Sequence, residues 1–166
     1  MSAIAPHPSP TLRPAGPADR EFLYRVYAST REEELAPLAW SNEQKEQFLR
    51  MQFEAQDAHY KQHYAVASFD LIELEDEPIG RLYVDRWADE IRVIDIALLP
   101  EHRGAGTGTR LLEELVAEAA ESGKRLSIHV ERHNSARRLY ERLGFEPVAE
   151  HGVYLLLEAS PERVER

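Results

Sequence analysis

Apolar residues recur at two periods along this chain, and the switches between them outline its elements. Phe22, Leu23, Val26 and Tyr27 follow helical spacing behind Pro17, a residue a first helical turn tolerates, so a helix is expected over about 17–30. APLAW breaks the pattern. Ser41 and Gln44 then make a capping-box pair that opens a long helical stretch, in which Phe48, Met51, Gln52, Ala55 and His59 share a face that is either core or pocket wall. From Tyr64 the period falls to two. AVASFDLIEL, IGRLYVDR and EIRVIDIALL read as antiparallel strands, the first two joined by the turn EDEP. Helical spacing returns with Leu111, Leu112, Leu115, Val116 and Ala119, and Gly123 is placed to end that helix in the left-handed conformation. RLSIHV is again a strand. Asn134 caps a short helix bearing Ala136, Leu139, Tyr140 and Leu143, Gly144 closes it, and FEPV and GVYLLLE finish as strands.

This order predicts one α+β domain over 11–158: a mixed, mostly antiparallel sheet flanked by helices, with a parallel pair around the helix at 107–121. Residues 1–10 read as a Pro-rich disordered extension and 159–166 as a tail; no internal repeat is visible. The net charge of -10 argues against nucleic acid and anionic membrane as partners, because both are bound through clustered Lys and Arg. Cationic or neutral partners fit better. The absence of cysteine excludes disulfides, thiolate metal sites and a covalent acyl-cysteine intermediate. The start is too rich in proline for a signal peptide and no stretch is long enough to cross a bilayer, so a cytoplasmic location is expected.

HRGAGTGTRLLEELV, residues 102–116, places Gly104, Gly106 and Gly108 directly before a helix. Three glycines weaken the helix they open, which a plain turn would not require. The position, where a strand hands over to a helix, aims backbone N–H groups and the helix dipole at one spot and suits a diphosphate. Thr109 and Arg110 stand where a Walker loop needs Lys and then Ser or Thr, and Thr109 stands where the dinucleotide fingerprint needs its last glycine. Both familiar loops are excluded.

ALLPEHRGAGTGTRLL resembles the acyl-CoA-binding motif of the GNAT acetyltransferases: Arg or Gln, two residues, Gly, one residue, Gly or Ala, filled by Arg103, Gly106 and Gly108. HNSARRLYERLGF is similar to that family's next motif, with Asn134, Ala136, Tyr140, Gly144 and Phe145 in its places. The resemblance covers about 79–157; the N-terminal half, which shapes the acceptor pocket in that family, matches only in element order. It implies an acyl-CoA N-acyltransferase fold and an enzyme that moves acetyl from acetyl-CoA to a primary amine by direct attack in a ternary complex. A catalytically silent CoA-binding sensor, or a transferase for longer acyl groups, is the alternative.

The resemblance further implies that the backbone of Ile96, Ala97 and Leu98 pairs with the pantetheine arm, with an amide near Leu98 facing the oxyanion. Amides of Arg103, Gly104, Ala105, Gly106, Thr107, Gly108 and Thr109 would hold the pyrophosphate, with Asn134 and Tyr140 as further CoA contacts. Tyr140 would donate a proton or hydrogen bond to the CoA sulfur, since a phenol of pKa about 10 stays protonated beside a thiol of about 8.5; at helical spacing it also suits the core. His129, on the strand five residues before Asn134, matches a position where His or Glu acts through water as base in the N-terminal acetyltransferase branch; a hydrogen-bonded strand histidine is the plainer reading. Asp95 is a second base candidate, placed by strand alternation opposite Ile94 and Ile96 unless a β-bulge intervenes.

His59 and His63 have metal-ligand spacing on one helix, but Tyr60 follows where a zinc-protease motif needs Glu, so no metal is expected. REEEL, 31–35, is either solvated surface or a lure for a cationic amine at the acceptor mouth, with Trp40, Tyr83 and Trp87 as candidate pocket walls. Protein N-terminus, lysine and small amines such as polyamines all remain open as acceptors. A homodimer is compatible with the family.

Overall fold

The computed structural model describes residues 8–132 and 136–159. Its elements in order are β1 (Thr11–Pro14), α1 (Arg20–Leu35), α2 (Asn42–His63), β2 (Ser68–Leu74), β3 (Glu77–Arg86) and β4 (Glu90–Leu98). They continue with α3 (Thr107–Ser122), β5 (Arg125–Glu131), α4 (Arg137–Arg142), β6 (Glu146–His151) and β7 (Tyr154–Ala159). The strands form one seven-stranded sheet in the order β1-β2-β3-β4-β5-β7-β6. Every pairing is antiparallel except β4 with β5, which α3 connects. This is the α+β arrangement that the periodicity predicts.

Two cores lie on opposite faces of the sheet. On one, Leu111, Leu112, Leu115 and Val116 of α3 pack with Ile91, Val93, Leu126, Ile128 and Leu157, joined by Tyr140 and Phe145. On the other, α1 and α2 bury Leu23, Tyr27 and Phe53 against Leu71, Tyr83 and Ile94. Gly123 and Gly144 both adopt positive φ where the helices before them end. Ser41 accepts a bond from the Gln44 backbone and receives the Gln44 side chain at its own N–H, completing the capping box that opens α2.

Four local features depart from the sequence expectations. β1 is an additional strand; with four residues, one partner and a terminal proline, it has the make-up of a sheet edge. α1 runs on to Leu35, beyond the expected end near 30, so REEEL forms its last turns. α2 buries Leu49 and Phe53, whereas Met51 is 64% exposed, and the face bearing Gln52, Ala55 and His59 borders a cavity. In β4 a bulge intervenes: Tyr83 pairs with Asp95 while Val84 pairs with Val93, leaving Ile94 as the extra residue. Ile94 and Asp95 consequently both turn toward the α1–α2 side, so Asp95 is opposite Ile96 but not opposite Ile94.

Candidate active site

β4 and β5 begin as a parallel pair, but their register ends at Val93 with Ile128. Beyond that point β4 continues to Leu98 paired only with β3, and β5 continues to Glu131 paired only with β7. The bulge at Ile94 bends β4 away, and the strands splay. The edge of Ile96, Ala97 and Leu98 that faces β5 is thereby free of strand partners, a row of backbone donors and acceptors suited to an extended amide-bearing chain.

The opening carries a cavity on either side, connected through a throat. The first, about 880 Å³, lies against Ile96, Ala97 and Leu98 and against the glycine loop. Arg103, Gly104, Gly106, Thr107, Gly108 and Thr109 all border it; Ala105 belongs to the loop but does not line the cavity. Asn134 lies outside the described residues. Gly104 and Gly106 have φ of +79° and +86°, a region costly for residues with a Cβ, and the loop curls through them into α3. The first N–H groups of α3, from Thr107 to Thr109, precede the first intrahelical bond, in which Arg110 N–H donates to Gly106 C=O at 3.0 Å. A concave row of free amides at a helix N-terminus attracts an anion. Arg103 does not project into this space as a loose cation: its Nε donates to the Leu98 carbonyl at 3.0 Å and its Nη2 to Ser29 Oγ at 3.2 Å, tying the loop to β4 and α1.

The throat, about 260 Å³, is bordered by Tyr140, His129, Asp95 and Glu131. Tyr140 is buried on α4, and burial, helped by the charge of Asp95, pushes its phenol up to about 12. His129 alternates with the core residues Ile128 and Val130 and therefore faces the other way, toward the α1–α2 side. Burial, then Arg92 and His151, hold its imidazole below the ordinary 6.5, so it is predominantly neutral at pH 7. Asp95 is engaged: it accepts from the buried Arg81 at 2.6 Å and from the Tyr60 hydroxyl at 3.2 Å.

Beyond the throat, on the α1–α2 side, lies a second cavity of about 640 Å³. Its aromatic walls are Tyr27, Tyr60, Tyr64 and Tyr154, not the Trp40, Tyr83 and Trp87 expected from sequence. Tyr83 is core; Trp87 stacks on Tyr64 with a 10° interplanar angle, and Trp40 packs edge-on to Phe48. REEEL divides: Arg31 lines the second cavity and the throat, Glu34 borders the throat paired with Arg31 at 2.9 Å, and Glu32 and Glu33 border the first cavity. Among the described residues no group of three or more His, Asp or Glu side chains is arranged to hold a metal ion, and no helix is long and apolar enough to cross a membrane.

Gly80 was not singled out in the sequence, yet it supports the free edge. It pairs with Leu98, and a Cβ there would lie 2.3 Å from the Ala97 carbonyl oxygen. A glycine inside a strand pattern is the signal that marks such a close approach.

Residues 23–145 match the model of the acetyltransferase (GNAT) family. The chain belongs to that family. The GNAT fold is seen in solved structures over nearly the whole chain. The PaiA N-acetyltransferase of Thermoplasma acidophilum, in complex with coenzyme A, superposes with a TM-score of 0.68 at 21% identity, covering 92% of this chain and 99% of that one. An acetyltransferase of Thermus thermophilus gives 0.66 at 22% identity, covering 92% and 97%. In sequence, this GNAT member is 43% identical over 61 residues to the [ribosomal protein bS18]-alanine N-acetyltransferase of Haemophilus influenzae. That stretch is 36% of this chain and 42% of the relative's length.

Proposed function

We propose that the protein transfers an acetyl group from acetyl-CoA to a primary amine by direct attack in a ternary complex. The carrying observation is the splay of β4 from β5, which joins a cavity walled by free backbone amides to a separate tyrosine-lined cavity. The donor's shape fits the first cavity. Its pyrophosphate suits the amides of the loop from Gly104 to Thr109, the Arg103 N–H being already donated to the Pro100 carbonyl at 3.2 Å, and its amide-bearing arm suits the edge of Ile96, Ala97 and Leu98. When bound, acetyl-CoA supplies a thioester carbonyl activated for attack.

The chain's own residues then have three tasks. The backbone near Leu98 offers an N–H toward the developing oxyanion. Tyr140 offers its hydroxyl to the departing sulfur. With the phenol raised to about 12 and a thiol at about 8.5, full transfer of the phenolic proton is uphill, so Tyr140 stabilises the thiolate by a hydrogen bond. His129 is neutral at pH 7 and borders both the throat and the second cavity, which suits a base that receives the amine's proton directly or through water. Asp95 is a poorer base because Arg81 and Tyr60 occupy it. The chain has no cysteine, so an acyl-cysteine route is excluded and direct attack is favoured.

The test is release of free CoA thiol from acetyl-CoA, followed with a thiol reagent across peptide N-termini, lysine peptides and polyamines. Amine-dependent release is expected. Tight CoA binding without release for any amine would identify a CoA-binding sensor instead.

A further inference from the structure

The second cavity is bordered by no aspartate or glutamate among the described residues, although the chain carries 30 acidic side chains against 20 Lys and Arg. Beside Arg31 and the histidines His59, His129 and His151, its wall carries two amides, Gln52 and Gln56, one helical turn apart on α2. The orientation of each amide follows from its partner. Arg81 Nη2 donates to the side-chain oxygen of Gln56 at 2.9 Å; a guanidinium can only donate, so the atom it meets must be the oxygen. Tyr27 accepts from Arg31 Nη1 at 3.2 Å and passes its own proton to the side-chain oxygen of Gln52 at 3.1 Å. Both amide oxygens are thus spent on the protein. Both NH₂ groups are without a partner among the described residues. The carboxylates of the throat are charge-paired or lie off this cavity: Asp95 pairs with Arg81, Glu34 with Arg31, and Glu131 borders the throat and the donor cavity rather than this one.

We infer that Gln52 and Gln56 make this a donor-rich acceptor site that selects α-amino acyl compounds, in which a carbonyl or carboxylate oxygen lies beside the attacking amine, and rejects oligocationic amines. The inference rests on the transferase reading above. An acyl oxygen supplies the acceptor that the two NH₂ groups lack; a second ammonium finds no carboxylate on the wall and the Arg31 cation beside it. Free amino acids and peptide N-termini share this chemistry.

The experiment measures kcat/KM for thiol release by the full chain with alanine, alanine amide, an alanine-led tetrapeptide, Nα-acetyl-lysine amide and spermidine. Alanine and its derivatives are expected to exceed the last two by about tenfold or more, the loss of one well-made hydrogen bond. A lead for free alanine identifies the carboxylate as the recognised group, and a lead for the amide and tetrapeptide identifies the peptide carbonyl; either supports the inference. The double variant Gln52→Glu/Gln56→Glu keeps an oxygen for Tyr27 and Arg81 but removes the NH₂ donors. It should reverse the ranking toward spermidine while leaving CoA affinity unchanged, because neither residue borders the donor cavity. Preference of the unmodified protein for spermidine or the lysine ε-amine overturns this inference and leaves the transferase standing. No release with any acceptor removes the transferase reading, and this inference with it. The ranking with the unmodified protein holds as a test even if the double variant fails to fold.

Discussion

Gly80 and Leu98 face each other across β3 and β4 so closely that Gly80 has room for a hydrogen but not for a methyl group. The obstructing atom is the Ala97 carbonyl oxygen, which faces β3, on the strand whose opposite edge is assigned to the CoA arm. Gly80→Ala must therefore push β4 outward, since backbone cannot rotate aside as a side chain does. The expected outcome is destabilisation by about 1–3 kcal/mol, typical of overpacking, with weakened CoA binding. Thermal unfolding and CoA titration check it; unchanged CoA affinity would mean that the edge is not the binding surface.

Gly106 presents the opposite case. Nothing lies within 4 Å of a Cβ built there, but its φ of +86° disfavours any L side chain. Gly106→Ala should cost about 1–2 kcal/mol in the free protein. Gly106→Val should remove CoA binding as well, because its side chain would occupy the concavity of the loop. Normal CoA affinity in the valine variant would refute the phosphate-cradle assignment.

Tyr140→Phe keeps the ring that packs on Phe145 and removes only the hydroxyl. Turnover should fall about a hundredfold, with CoA affinity nearly intact. Equal losses of stability and activity would instead indicate a packing role.

His129 titrates below 6.5 because of burial and its neighbours Arg92 and His151, so it remains a base until the pH falls through that lowered value. With acceptor saturating, the acid limb of kcat should lie below pH 6.5. In His129→Ala the bound amine must lose its proton unaided, and the limb should move up toward the α-amino value of about 7.7–8.0. The rate loss is then largest on the acidic side and shrinks as pH rises. Superimposable profiles would transfer the proton to solvent.

The legibility of the site in sequence differs residue by residue. Gly104 and Gly106 were readable because a positive φ is a local demand that glycine meets at any position in a fold. Tyr140 was readable from helical spacing within a motif, although spacing alone could not separate a core ring from a site ring; it is both buried and at the throat. Asp95 was misplaced relative to Ile94 because one bulge residue shifts the alternation, and no local composition announces it. Gln52 was readable only as a member of a face that is core or pocket wall, and Gln56 gave no signal: a glutamine on a helix looks solvated until its oxygen is seen paired with Tyr27 or Arg81.

The sequence by itself determined the succession of helices and strands from α1 onward, the loop that opens α3 and the family. Periodicity, capping and glycine placement act within a few residues of one another, so these survive without knowledge of the fold. Only the tertiary structure decided where β4 leaves β5, which face of α2 meets a cavity, and which partner uses each polar atom. Those depend on register between strands far apart in the chain and on donors and acceptors that become neighbours only when α1, α2 and the sheet pack together.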